Sequence, residues 1–205
     1  MYKNYIKRML DIILATTGLI IISIFFIPIS IFIYLEDKGP IFYNAPRLGK
    51  NGVVFKMYKF RSMKVNAPDI RRADGSTFNS IDDPRLTKIG KFIRKTSIDE
   101  LPQLLNVIKG DMSLIGPRPD LPEHKNMYSG NEARKLEVRP GITGLSQAYY
   151  RNTISWKERI QNDILYIDKI SFLLDIKIIL KTILIVFKRD GVFVENNNNE
   201  ASEVL

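Results

Sequence analysis

The chain has 205 residues, 45% hydrophobic and 26% charged, with 31 Lys and Arg against 22 Asp and Glu and a formal net charge of +9. It contains no cysteine and a single histidine, His124, which excludes a disulfide framework and a thiolate metal site and leaves His-based triads and His-rich zinc sites without their side chains. Acid–base or nucleophilic chemistry therefore falls to carboxylates, Lys, Ser/Thr or Tyr, and the basic surplus calls for an anionic partner: nucleic acid, phospholipid headgroups or a phosphorylated substrate.

Residues 2–11 carry Lys3, Lys7 and Arg8, and the 24 residues from Ile12 to Leu35 hold no charge. At 1.5 Å per residue such a helix is long enough for a hydrocarbon core of roughly 30 Å, and no small-residue cleavage site marks it as a secretory signal. Pro28 lies inside it, where a missing N–H and a crowding ring disturb the helix. Lys7 and Arg8 precede the segment and Lys38, Arg47, Lys50, Lys56 and Lys59 follow it, so both flanks favour the cytoplasmic face. A helix-break-helix that enters and leaves by one leaflet satisfies both flanks; a spanning helix kinked at Pro28 is the alternative.

From Gly39 the pattern changes. Pro40–Tyr43 and Gly52–Phe60 are rich in β-branched and aromatic residues, with Gly49–Gly52 as the turn of an expected short hairpin. Residues 65–85 are polar and carry Pro68, Gly75 and Pro84, which predicts a loop, read as a lid over the substrate. Leu86, Ile89, Phe92 and Ile93 share a helix face opposite Lys88, Lys91, Arg94 and Lys95. Ser97-Ile98-Asp99-Glu100 has capping-box spacing, and Leu101, Leu104, Leu105 and Ile108 supply the buried stripe of a second helix ended by Gly110, with Pro102 in its first turn. Gly116-Pro117-Arg118-Pro119 and Arg139-Pro140-Gly141-Ile142-Thr143-Gly144 are rigid, Arg-bearing turns around a polar stretch at 120–137. Helices are expected over Trp156–Ile170 and Asp175–Lys188, the last with an apolar face suited to lying on a membrane. The acidic, Asn-rich end is expected to be disordered.

Asp99 and Glu100 are the centre of the candidate chemistry. Neighbouring residues at a helix start point about 100° apart, so one carboxylate can attack phosphorus while the other holds Mg²⁺. Arg94, Arg118 and Arg139 are forks able to clamp a diphosphate, with Lys59 as a point charge. Each signal alone is also an ordinary structural feature, a cap, a solvated face or a tight turn. Nucleic acid is disfavoured as the partner, because the aromatics cluster in the apolar and strand-like stretches rather than between Lys and Arg.

The series Tyr58-Lys59-Phe60-Arg61-Ser62-Met63, Asp83-Pro84-Arg85-Leu86-Thr87-Lys88-Ile89-Gly90, Ile93-Arg94, Ser97 to Leu104, Asn106-Val107, Lys109 to Ser113, Gly116 to Pro119 and Arg139 to Gly144 closely resembles the bacterial sugar transferases, the monotopic phosphoglycosyl transferases that begin membrane glycoconjugate assembly. The resemblance runs from about Tyr5 to Val186 and suggests the minimal catalytic form of that family. It implies transfer of a phospho-sugar from a UDP-sugar to polyprenyl (undecaprenyl) phosphate with release of UMP. Asp99 would be the nucleophile that carries a covalent phospho-sugar, and Glu100 the Mg²⁺ ligand. Lys59, Arg94, Arg118, Arg139, Gly141 and Thr143 would bind substrate.

The same resemblance implies an α+β, mainly helical fold: a re-entrant membrane helix over 1–37, a cytosolic catalytic domain over 38–190 and a tail over 191–205, on the cytosolic face of the bacterial inner membrane and in contact with phospholipid. Two departures from the family pattern stand out. Ser23 is followed by Ile24 rather than proline, and Tyr149-Tyr150-Arg151-Asn152 lacks the glycine usual before Arg-Asn. A non-catalytic, membrane-anchored basic module binding anionic lipid or a partner protein is the reading from another class.

Overall fold

The computed structural model describes residues 1–70, 80, 82–151 and 153–188. It is mainly helical, with one long apolar helix at the N-terminus and two small sheets. Helix α1 (Lys7–Asp37) runs through Pro28 as one helical segment. Asp11, Ala15, Gly18, Ile22, Phe26, Ile29 and Ile33 recur at spacings of three and four, and they form the stripe that is buried or half-buried against the rest of the molecule. The other faces leave Ile13, Ile20, Ile24, Phe25, Ile27 and Phe32 more than half exposed, an apolar surface with no protein over it among the described residues. By length and composition α1 can cross a membrane. Both of its ends nevertheless dock on the same domain: Arg8 donates to the carbonyls of Val107 and Ile108, and Glu36 and Asp37 bind residues 88–89 and 61.

The hairpin forms, with strands β1 (Ala45–Leu48) and β2 (Val54–Met57) antiparallel and Ala45 opposite Met57. The expected first strand, 40–43, contributes only an isolated bridge between Phe42 and Phe60. Ala45 and Leu48 carry the buried positions, so tertiary burial and not the aromatic content of 40–43 chose the strand. The turn at Lys50–Gly52 uses left-handed conformations at Asn51 (φ 59°) and Gly52 (φ 73°).

Helix α2 (Lys88–Lys95) is capped by the Thr87 hydroxyl, which accepts from the Gly90 N–H, and by the Glu36 carboxylate, which accepts from the N–H groups of Lys88 and Ile89. Helix α3 (Gln103–Lys109) ends at Gly110, whose φ of 97° is the expected left-handed stop. The capping box expected at Ser97 is not formed. Ser97 itself is left-handed (φ 57°) and a 3₁₀ turn over Ile98–Glu100 intervenes before α3. A box needs an extended cap residue, and the tight reversal between α2 and α3 takes that conformation away.

Strands β3 (Ser113–Ile115) and β4 (Gly141–Thr143) pair in parallel, an element not foreseen in the sequence. The stretch between them forms 3₁₀ turns at Pro122–Met127 and Glu132–Glu137. Helices α4 (Leu145–Tyr149), α5 (Trp156–Asp168) and α6 (Phe172–Lys188) complete the fold, and a Ser155–Glu158 capping box starts α5. Ile115, Ala148, Tyr166, Ile167 and Ile178 form the core under α4–α6. Ala15, Met57, Val107 and Met112 join α1 to the hairpin and α3, and Ile33, Phe60 and Ile93 join the far end of α1 to α2. The expected disordered tail, most of the lid segment and Asn152 lie outside the described residues.

Candidate active site

The 3₁₀ turn that replaces the capping box sets the two carboxylates apart. Asp99 points inward with 1% of its surface exposed, whereas the Glu100 side chain keeps 26%. The backbone locks this turn to the stretch after β2, since the Phe60 N–H donates to the Asp99 carbonyl at 2.9 Å. That bond places the residue before Phe60 against the carboxylates. The Lys59 ammonium lies 2.8 Å from Asp99 Oδ2 and 3.3 Å from Glu100 Oε1. Asp99 Oδ2 is otherwise a buried oxygen with no well-aligned hydrogen-bond donor, so its neutralisation rests on charge and not on a fixed bond.

Electrostatics divide the pair. Burial pushes the Asp99 carboxyl above the usual carboxylate range; Lys59 and Arg94 pull it down, and the charge of Glu100 adds to the rise. Burial acts on Glu100 in the same sense, but Lys59, Arg118 and Arg94 outweigh it and hold that carboxyl below its usual value. Two adjacent carboxylates with opposed shifts in one charged cluster are what a division of chemical labour requires. Arg94 comes from the last turn of α2, and burial weakens its hold on its proton while Asp99, Asp83 and Glu100 favour the charge. Behind it, Asp83 and Arg85 make a buried two-pronged ion pair, with Nε to Oδ1 at 2.9 Å and Nη2 to Oδ2 at 2.7 Å.

The expected site residues divide into two groups. Asp99, Glu100, Lys59, Arg94 and Arg118 act on one another electrostatically at one place. Arg139 lies at the opposite end of α3, where its Nε donates to the Gly110 carbonyl at 2.8 Å. Gly141 and Thr143 serve the loop that carries Arg118. The Gly141 N–H donates to the Pro117 carbonyl at 2.9 Å, and the Gly116 N–H donates to Thr143 at 2.9 Å. A Cβ on Gly141 would lie 2.1 Å from the Gly116 nitrogen, so the two Arg-bearing turns interlock only without side chains there. The Thr143 hydroxyl is shared with Thr182 on α6 at 2.7 Å.

Several contributors carry no local sequence signal. Asn106 is fully buried and ties α3 to the strand leading to Lys59. Arg61 grips Asp37 with both terminal nitrogens at 2.6 Å. Asp120, next to Pro119, accepts from Lys135, Tyr128 and the Trp156 indole and so anchors the Arg118 loop. In sequence these are an Asn in a helix, an Arg after a strand and an Asp after a proline; only their wider motif context could have singled them out.

Among the described residues no cluster of three or more metal-ligating side chains is present. Asp99 and Glu100 are still a suitable protein contribution to Mg²⁺, which is commonly held by one or two carboxylates together with substrate phosphates and water.

Comparison with known proteins agrees with this geometry. The profile of the family described as Bacterial sugar transferase matches residues 2–189. The chain is 46% identical over 196 residues to the galactosyl transferase CpsE of Streptococcus agalactiae serotype III, an alignment that covers 90% of this chain and 43% of the relative. It is 42% identical to the uncharacterized sugar transferase EpsL of Bacillus subtilis, covering 94% and 92%. It is 39% identical to the undecaprenyl-phosphate galactose phosphotransferase of Salmonella typhimurium, covering 93% and 42%. The chain thus spans less than half the length of two of these relatives and nearly all of the third. With the profile and the EpsL alignment both running over almost the whole sequence, the protein belongs to the bacterial sugar transferase family.

Proposed function

We propose that the protein transfers a sugar phosphate from a UDP-sugar to polyprenyl phosphate through a covalent intermediate on Asp99. The observation that carries this reading is the buried Asp99 carboxylate, 2.8 Å from the Lys59 ammonium, with Glu100, Arg94 and Arg118 acting on the same point. The names of relatives support the acceptor: one is an undecaprenyl-phosphate galactose phosphotransferase.

A carboxylate oxygen of Asp99 attacks the phosphorus that bears the sugar. The bond from that phosphorus to the bridging oxygen breaks, and UMP leaves with the electron pair. An oxygen of polyprenyl phosphate then attacks the same phosphorus and returns the carboxylate, giving the polyprenyl diphosphate sugar. Lys59 keeps Asp99 ionised at its buried position and faces the incoming negative charge. Arg94 and Arg118 supply the forks that bind phosphate oxygens. Glu100 would hold Mg²⁺, which would supply charge neutralisation of the diphosphate.

The anchor reads as re-entrant. What supports this is the docking of both ends of α1 on one domain, together with basic residues on both flanks. The catalytic face then lies on the cytosolic side of the inner membrane, where nucleotide sugars are made. A non-catalytic module offers no reason to bury a carboxylate beside Glu100, Lys59 and Arg94, which disfavours that alternative.

The test is UMP release from a panel of UDP-sugars with polyprenyl phosphate and Mg²⁺, alongside intact-protein mass after incubation with donor alone. Wild type is expected to release UMP and to gain the mass of one sugar phosphate with its matching donor, and Asp99→Asn to do neither. Turnover in Asp99→Asn, or turnover in wild type with no adduct under rapid quenching, would remove the covalent step.

A further inference from the structure

A cavity of about 420 Å³ opens beside the first turns of α1, within the range of small-molecule sites. It is separate from the carboxylate pair: Asp99 and Glu100 precede α3, whereas this cavity lies at the Gly110 end, where Arg8 and Arg139 bind the last carbonyls of that helix. Lys3, Arg8, Lys50 and Arg139 all line it. None of these four is ion-paired to a carboxylate among the described residues.

The two carboxylates in its wall are engaged elsewhere. Asp11 accepts from the Ser113 hydroxyl and the Leu114 N–H, and Glu137 pairs with Arg134 at 3.2 Å. These four cations outnumber the two carboxylates in the wall, Asp11 acts on Arg8, and the positive excess favours entry of an anion. Arg139 is held through Nε alone, which leaves its two terminal nitrogens as the fork that takes a phosphate bidentately.

The surroundings identify the kind of anion. The uncharged run of α1 begins at Ile12, immediately after the cavity-lining Asp11, so the cavity adjoins the start of the candidate anchor. Tyr5 lines the cavity and stands exposed, Ile170 lines it as well, and Met9 is exposed two residues before the cavity-lining Asp11. A cationic cavity beside exposed apolar side chains, at the start of the apolar helix, is matched by a phosphate that carries acyl chains.

We propose that this cavity binds the headgroup phosphate of an anionic phospholipid, as a site apart from the one that handles donor and acceptor.

The full chain in an uncharged detergent, followed by thermal unfolding through Trp156 fluorescence, tests this with short-chain dihexanoyl-phosphatidylglycerol as the probe. Wild type is expected to show a saturable rise in Tm. The doubly substituted Lys3→Gln/Lys50→Gln should lose at least half of that rise while releasing UMP at the wild-type rate in detergent alone. A charge-matched control, Lys125→Gln/Lys157→Gln, should keep it. Dihexanoyl-phosphatidylcholine and inorganic phosphate at the same concentration should not reproduce it. An undiminished rise in Lys3→Gln/Lys50→Gln overturns the proposal, as does an equal loss in the control, which would mean diffuse attraction. A rise of the same size with phosphatidylcholine removes the charge requirement, and one with inorganic phosphate makes the ligand a free anion. Lost UMP release in the Lys3→Gln/Lys50→Gln protein would assign those lysines to the reaction itself.

Discussion

Asn106 and Tyr58 are joined across the molecule by a 2.8 Å hydrogen bond, from the Tyr58 N–H to the Asn106 side-chain oxygen. The Asn106 amide nitrogen donates to the Lys56 carbonyl at 2.8 Å and to Asp111 at 3.1 Å. A single fully buried side chain therefore substitutes for a neighbouring strand along Lys56–Tyr58, directly before Lys59.

Replacing it with an apolar residue of similar size removes the partner of two part-buried backbone groups, the Tyr58 N–H and the Lys56 carbonyl, and one of the bonds to Asp111, which keeps its ion pair with Lys109. Asn106→Leu is expected to lower stability by about 2–4 kcal/mol, since each unsatisfied buried group costs about 1–3 kcal/mol and local relaxation recovers part of the sum. UMP release should fall more than the folded fraction does, because Lys59 loses its support. Equal losses in both would mean that Asn106 serves the fold alone.

Lys59→Met should move the pH dependence of adduct formation. Asp99 must be ionised to attack, burial already holds its carboxyl above the usual range, and Lys59 is the main group opposing that rise. Without the ammonium the acid limb of the rate shifts to higher pH, and at neutral pH the rate drops by roughly 10²-fold or more, the scale seen when one preorganised charge donor is removed. An unshifted acid limb with a lower plateau would assign Lys59 to phosphate binding only.

Gly141→Ala should disable the enzyme without touching a reactive group. The added carbon would meet the Gly116 nitrogen at 2.1 Å and the Thr143 carbonyl oxygen at 2.3 Å, backbone atoms that cannot step aside singly. Separation of the two turns displaces Arg118 from Glu100, so adduct formation is expected to fall along with a Tm decrease. Wild-type adduct yield in Gly141→Ala would show that the Arg118 loop has slack.

The buried group formed by Asp120, Lys135, Asp163 and Arg159 makes a pH prediction for stability. Lys135 lies 2.6 Å from Asp120 and 3.1 Å from Asp163. Burial pushes the Asp163 carboxyl up to about 6 in spite of Lys135, with Asp120 and Arg159 also acting on it. Lys135, Tyr128 and His124 outweigh burial at Asp120 and hold its carboxyl low. A carboxyl raised on folding favours the native state fully below its unfolded pKa of about 4, and that contribution is lost as pH rises through about 6. Asp163→Asn removes the loss. Its Tm should match wild type near pH 4 and exceed it above pH 6, by an amount equivalent to at most about 3 kcal/mol. A variant less stable than wild type at pH 7 would show that the Lys135–Asp163 ion pair outweighs its desolvation.

Where one residue's neighbours in sequence decide its conformation, the sequence could be read directly. The apolar run of α1, the two-faced α2, the Gly110 stop and the helices after Ser155 are all local patterns, and the structure contains them. Strands β3 and β4 could not be read that way, being three residues each and joined only through a distant partner. The first strand of the hairpin was misplaced for a related reason: Ala45–Leu48 has no β-branched or aromatic residue, and it is a strand through burial of Ala45 and Leu48 and the bond from the Leu48 N–H to the Asp120 carbonyl. At the site, five charged groups were legible because their chemistry is rare in combination. Arg139 looked equivalent to Arg118 by its rigid turn, yet the pairing of β3 with β4 sends it to the far end of α3. Asn106 acts on the backbone of residues 56 and 58, Arg61 on Asp37, and Asp120 on Lys135 and Trp156, partners that no local window contains.

The long stripe by which α1 lies against the domain makes the anchor part of the enzyme's interior. Ala15 and Ile33 are as buried as any residue of the catalytic half, and Phe26 meets Phe60, whose N–H holds the Asp99 turn. Trimming the first 37 residues would thus uncover two of the three cores instead of releasing a water-soluble catalyst. The opposite face of the same helix is apolar and has no protein over it among the described residues, so whatever covers that face also steadies the catalytic half.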